Sequence, residues 1–150
     1  MDLVTIEGKW AFNYTYFAGE SASRFFHELR ENQRIMGTRC AKCKKLLVPA
    51  RAYCDVCMSP TDEWVEVGQE GTLETFTIIT TAFPGLPKPP IVMAYVTLDG
   101  ADSALINLVR GLDLSDIEVA AQKLNKLPRV KVEFIDEPQG RITDFSFKVI

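Results

Sequence analysis

All four cysteines of this 150-residue chain fall in one short segment, as Cys40-Ala-Lys-Cys43 and, ten residues later, Cys54-Asp-Val-Cys57. Two C-x-x-C pairs at this separation predict two tight knuckles, each presenting two sulfurs. Together they surround one tetrahedral ion with arms of about 2.3 Å. The spacing reads as a zinc ribbon, with Cys40, Cys43, Cys54 and Cys57 holding one structural Zn²⁺ per chain. Four thiolates fill the coordination sphere and leave no position for an activated water. A four-thiolate iron site shares the spacing. Paired disulfides would suit an exported chain, and a redox pair would want a βαβ setting; the sequence shows the signature of neither.

Charge is distributed unevenly around these cysteines. Residues 24–51 carry Arg24, Arg30, Arg34, Arg39, Lys42, Lys44, Lys45 and Arg51 against Glu28 and Glu31, whereas residues 52–74 hold six acids and no Lys or Arg. A Zn²⁺ ion with four thiolates is a dianion, which Arg39, Lys42, Lys44 and Lys45 would offset from close by. The same side chains could also meet phosphates or an acidic partner. The net charge of −3 argues against a general nucleic-acid coat. No apolar run approaches the roughly 18–20 residues of a membrane span, and the first residues lack a basic start and apolar stretch, so a cytoplasmic location is expected.

Before the cysteines, Trp10, Phe12, Tyr14, Tyr16 and Phe17 form an aromatic run of period two, which predicts an extended arm. The arm either lies on the chain's own core or reaches onto another subunit. Residues 21–36 read as a helix capped by Ser21 or Ser23 and stopped at Gly37, with Phe25, Phe26, Leu29 and Met36 near one face. Phe25 and Phe26 are expected to pack against the ribbon or a partner. His27, the only histidine, has no neighbours that would give it a catalytic role.

Beyond residue 62 the pattern turns to strands. A strand starts at Trp64, and others are expected over 71–81, 91–98, 104–109, 130–135 and 142–149. Asp99-Gly100 reads as a hairpin turn. Ser115-Asp-Ile-Glu118 reads as a capping box that opens a helix to about Asn125. About five strands with a short helix between the third and fourth follow the order of an OB barrel, a fold that binds ligands on one strand face and its flanking loops. Phe83-Pro-Gly-Leu-Pro-Lys-Pro-Pro90 interrupts the first barrel hairpin as a stiff, protruding loop. It is either a rigid strand terminator or a rim that meets a ligand. The expected organisation is an arm and helix over 1–36, a ribbon over 37–61 and a barrel over 62–150.

Phe25-Phe26-His-Glu-Leu29, Gly37-Thr-Arg39-Cys40-Ala-Lys-Cys43, Val48-Pro49, Cys54-Asp-Val-Cys57, Gly71-Thr-Leu-Glu-Thr-Phe-Thr77 and Leu98-Asp-Gly-Ala-Asp102 together resemble the DUF35 family over roughly residues 20–150. The resemblance implies a mainly β chain: an N-terminal arm and helix, a rubredoxin-like zinc ribbon and a five-stranded OB-fold barrel. The aromatic arm and Leu98–Asp102 are most similar to members that accompany thiolases. That likeness implies a thiolase subunit as partner in a hetero-oligomer and a CoA thioester near the interface.

Thiolysis needs a thiolate nucleophile, a base and an oxyanion hole. With its four cysteines committed to metal and one histidine, the chain is not expected to be catalytic alone. It is expected to support the active site of a thiolase-type acyltransferase complex. Trp10, Tyr14, Phe17, Phe25 and Phe26 are the candidate partner contacts, and Arg39, Lys42 and Lys44 the candidate contacts for a CoA ester or the partner. The rival class is a single-stranded nucleic-acid module, since ribbons and OB folds both serve there. Against it stands a barrel without a basic stripe or basic aromatic face.

Overall fold

The computed structural model describes residues 5–8 and 11–150; Trp10 lies outside them. Helix α1 spans Glu20–Asn32, with the buried Phe25 and Leu29 one turn apart. It begins at Gly19 without a side-chain cap. Ser23, one of the two expected caps, instead donates its hydroxyl to the Gly19 carbonyl at 2.6 Å. The helix stops four residues earlier than expected, because Gln33 takes the left-handed conformation at φ 49°. Gly37, the expected stop, lies in strand β1 (Met36–Cys40). A Cβ there would come within 2.8 Å of the Leu47 carbonyl, so the site needs close approach between backbones rather than a helix end.

Strands β1, β2 (Leu46–Leu47) and β3 (Thr61–Glu66) form an antiparallel sheet in the order β2-β1-β3. The strand expected from Trp64 is therefore β3, and it belongs to the cysteine-bearing sheet. Strands β4 (Glu70–Ile79), β5 (Ile91–Leu98), β6 (Leu105–Arg110), β7 (Arg129–Phe134) and β8 (Phe145–Val149) close into a barrel in the order β4-β5-β6-β8-β7. The parallel β6–β8 pair completes it. Helix α2 (Ile117–Leu124) stands between the third and fourth barrel strands, and its cap is Asp116, whose carboxylate accepts from the Val119 N–H at 3.0 Å. A register shift between Leu73 and Thr75 flips the inward side of β4, from Leu73 to Phe76 and Ile78. Bulges of this kind let a long strand curve around a barrel. No described helix is long and apolar enough to cross a membrane.

One apolar core joins the parts. Phe25 and Leu29 of α1, Ile35, Met36, Leu46 and Val48 around the small sheet, and barrel residues such as Leu73, Val96, Leu98 and Phe147 form a single buried cluster. The Leu98–Asp102 stretch turns at Gly100, where φ is 91°, and then clasps the ribbon. Asp102 Oδ2 accepts from the Leu46 N–H at 2.8 Å, and the Asp102 N–H donates to the Leu46 carbonyl at 2.8 Å. Next to it, Ser103 accepts from the Val48 N–H at 2.7 Å and donates to the Val48 carbonyl at 3.0 Å. Buried β2 thus gains ladder partners from a barrel hairpin, which satisfies backbone groups that would otherwise lose water without replacement.

Candidate metal centre

The two knuckles share one construction. The Cys40 N–H donates to the Lys45 carbonyl at 2.9 Å, and the Cys54 N–H donates to the Ser59 carbonyl at 2.9 Å. The Lys44 N–H closes on the Cys40 carbonyl at 2.8 Å, and the Met58 N–H closes on the Cys54 carbonyl at 3.0 Å. Both closing residues are left-handed, Lys44 at φ 63° and Met58 at φ 56°. Each turn also aims an N–H at its first sulfur: Cys43 N–H to Cys40 Sγ at 3.3 Å, and Val56 N–H to Cys54 Sγ at 3.4 Å.

All four Sγ atoms lie within 4.8 Å of one another, and Cys40 and Cys57 are 3.6 Å apart. A tetrahedron with 2.3 Å arms has edges of about 3.8 Å, so the cluster has the dimensions of a Zn–S₄ site. The cysteines are free of disulfides, with Cys40 and Cys54 buried and Cys43 and Cys57 half-buried. The two outer cysteines are pushed in opposite directions. The hydroxyl and N–H of Ser59 draw Cys57 down to about 6, while Cys57 pushes its neighbour Cys43 up to about 12. A divalent ion takes the place of the protons that coordinating thiols give up. The donor set, spacing and closed geometry fit one structural zinc, which ties the two knuckles together.

Behind the sulfurs, a buried threonine pair holds the second knuckle to the sheet. Thr38 donates to the Arg51 carbonyl at 2.8 Å and accepts from the Arg51 N–H at 2.9 Å. Thr61 donates to Thr38 at 3.2 Å and also reaches the Arg51 carbonyl. Sequence reasoning passed over both threonines. The available signal was a threonine just outside each cysteine pair, Thr38 two residues before Cys40 and Thr61 four after Cys57.

The other candidate residues divide. The Arg39 guanidinium donates to the Lys44 carbonyl at 3.1 Å and approaches Glu63 at 3.5 Å, so it braces the first knuckle. Lys42 and Lys44 are exposed beside the metal site and make no ion pair among the described residues. Much of the basic run is neutralised locally: Arg34 meets Glu28 at 2.6 Å, Arg30 meets Glu31 at 2.8 Å and Arg51 meets Asp55 at 2.9 Å. His27 is exposed and contacts Arg30 at 3.2 Å.

The aromatic candidates separate as sharply. Phe25, 2% exposed, is a core residue, and Phe26 packs against that core, so neither is presented as a free contact surface. Of the two settings expected for them, the ribbon or a partner, the structure shows packing within the chain for Phe25 and for the covered part of the half-buried Phe26. The arm is the opposite: Tyr14 is 74% exposed and Phe17 84%. Phe12, Tyr14 and Tyr16 stack in sequence, with ring centroids 5.9 and 6.1 Å apart. Tyr14, Tyr16 and Phe17 are largely open to solvent, although aromatic surface of this size is normally buried.

A four-thiolate ribbon clasped to a closed five-stranded OB barrel defines a two-part zinc-ribbon/OB-fold protein. The ChsH2 rubredoxin-like zinc ribbon domain matches residues 27–63 and the ChsH2 C-terminal OB-fold domain matches residues 64–120. The chain belongs to the DUF35 family. Its fold is similar to the crystal structure of a DUF35 protein from Sulfolobus solfataricus, at 24% identity and a TM-score of 0.61, covering 88% of this chain and 87% of that one. It is also similar to a chain of the Ltp2-ChsH2(DUF35) aldolase, at 23% identity and a TM-score of 0.62, covering 89% of this chain and 98% of that one. Comparison with curated proteins finds no match.

Proposed function

We propose that this chain is the non-catalytic subunit of a thiolase complex acting on a CoA thioester, of the kind formed by the small subunit of benzoylsuccinyl-CoA thiolase in anaerobic toluene degradation. The observation that carries the reading is the sulfur cluster. The chain's only four cysteines gather in one site, so none is left over as the thiolate that acyl transfer requires. The similar aldolase, whose description pairs Ltp2 with a ChsH2 DUF35 chain, supports a role beside a partner enzyme.

In this reading Trp10, Tyr14 and Phe17 supply the aromatic anchors on which interfaces commonly depend. Lys42 and Lys44 lie next to the ribbon tip and attract the phosphates of a CoA ester, while Arg39 acts by holding the Lys44 backbone. The nucleic-acid alternative is weakened by the barrel's charge pattern: Arg129 pairs with Asp99 and Glu70, and Lys131 and Lys148 both pair with Glu133.

The test is reconstitution with a thiolase encoded beside this chain. Deleting residues 1–18 is expected to abolish co-elution. Lys42→Gln with Lys44→Gln is expected to raise the apparent KM for the CoA ester with zinc content and assembly intact. Turnover of a β-ketoacyl-CoA by the purified chain alone would overturn the proposal, as would full co-elution of the truncated chain.

A further inference from the structure

The outward face of the barrel carries a site that the sulfur cluster and the arm do not account for. On β5 and β6, the cross-strand pairs Met93–Leu108 and Tyr95–Ile106 point away from the barrel interior. An apolar outer face is unusual for a strand whose other side fills the core. Leu86 and Pro87 of the proline-rich loop wall this face on one side, and Ile142 and Thr143 of the loop before β8 wall it on another, enclosing a cleft of about 600 Å³. The strand 2–3 face of an OB barrel, flanked by these two loops, is where the fold places its ligands. The volume lies within the roughly 300–1,000 Å³ typical of small-molecule sites.

The walls are fixed before any ligand arrives. Buried Asn107 donates its side-chain N–H to the Ile142 carbonyl at 2.8 Å and accepts from the Leu108 N–H at 2.8 Å. Buried Asp144 gathers the N–H groups of Gln139, Gly140 and Arg141 on one carboxylate oxygen, at 2.9, 2.6 and 2.8 Å. Four prolines stiffen the opposite loop. Preorganised walls reduce the ordering cost of binding.

One charge faces the cleft. Arg110 lines it and the smaller adjoining hollow at the end of β6, and among the described residues it makes no ion pair or side-chain hydrogen bond. A single unpaired guanidinium beside an apolar floor matches a single carboxylate on an apolar body, because a guanidinium fork binds a carboxylate through two parallel hydrogen bonds. A polyphosphate would call for several cations. We infer that the cleft between the proline-rich loop and β5–β6 binds a small amphipathic monocarboxylate, its aryl or alkyl body on Met93, Ile106 and Leu108 and its carboxylate on Arg110. This inference is independent of any partner protein.

The test is calorimetric titration of the zinc-loaded full chain with 4-phenylbutyrate and its neutral analogue 4-phenylbutyramide. The acid is expected to bind saturably, about tenfold or more tighter than the amide. Arg110→Gln is expected to bring the acid down to the affinity of the amide, with partial rescue by Arg110→Lys. Ile106→Trp fills the cleft and is expected to abolish binding of both; Met93→Trp serves the same purpose if the first variant loses zinc or thermal stability. Absence of saturable binding, equal affinity for acid and amide, or binding unchanged in a folded cleft-filling variant would overturn the assignment.

Discussion

The ribbon tip and the barrel are held by different forces. Around the sulfurs, the buried apolar cluster consists of Cys40, Leu47 and Cys54, with Cys43 and Cys57 against it. The barrel shares a core of many large side chains, among them Leu73, Leu98, Leu105, Phe145 and Phe147. So few apolar groups cannot offset the entropy of ordering two left-handed turns. The tip therefore takes its stability from metal–sulfur bonds, whereas the barrel takes it from apolar burial at about 25 cal/mol per Å². The two share a base, and the clasp at Asp102 and Ser103 decides how far they stand or fall together.

Removing the metal breaks the comparison most severely. Structural zinc contributes apparent binding free energies of about 10–16 kcal/mol in isolated ribbon-sized peptides. Cys54→Ser, or a strong chelator, is expected to remove the zinc and unfold the knuckles. Hydrogen exchange would then show protection lost over 40–60 and retained in β4–β8. Loss of protection in both regions at once would mean that the barrel also depends on the ion. Zinc-free protein with intact knuckles would refute the metal as the source of tip stability.

The clasp sharpens the comparison at a smaller scale. Asp102→Ala leaves the buried Leu46 N–H without its carboxylate partner, and an unsatisfied buried donor costs about 1–3 kcal/mol. Denaturant unfolding followed at Trp64 should show that loss, with zinc still bound at neutral pH. With Ser103→Ala added, the unfolding transition is expected to split, the ribbon leaving before the barrel. A single transition at unchanged midpoint would show that the apolar base alone couples the parts.

Much of this was legible in the sequence, and the failures have physical causes. The cysteine spacing fixed the ligands because knuckle geometry is local. Strand β5 fell over 91–98 as expected, since a run rich in β-branched and apolar residues between turn residues is a local signal too. The end of α1 was misplaced because Gln33, a residue without special liking for the left-handed region, takes it ahead of the glycine. The clasp was hidden because Asp102 and Leu46 are 56 residues apart. The outer cleft was hidden for another reason: apolar residues on both sides of β5 read as a fully buried strand, and periodicity does not distinguish that from one face in the core and one under a loop. Whether the two phenylalanines of α1 meet the ribbon or a partner stays open in the sequence, because helical spacing shows a shared face but not what that face meets.

Acid separates the two regions last and most gently. Zinc ligands must be deprotonated, so protons compete with the ion and the tip loosens first as pH falls. Below that, carboxylates matter. The Arg34 guanidinium, hydrogen-bonded to Glu28, holds that carboxyl below its ordinary value of 4.5. Arg34 also approaches Glu66 of β3 at 3.6 Å, so the pair ties the end of α1 to the ribbon sheet. In the barrel, Lys148 lowers Glu133 in the same way. A carboxyl whose folded pKa is depressed adds stability above its unfolded pKa and loses it as pH falls through the folded one. Glu28→Gln is therefore expected to lower the melting temperature near neutrality and to leave it unchanged well below pH 4.5, flattening the acid limb. Glu133→Gln should flatten it less, because Glu133 is more exposed, with 39% of its side chain open against 15% for Glu28, and exposed pairs are screened. Melting curves over the acid range, with zinc release recorded in parallel, measure both. An equal or larger effect at Glu133 would mean that the barrel surface, rather than the joint between helix and ribbon, sets the acid sensitivity of the fold.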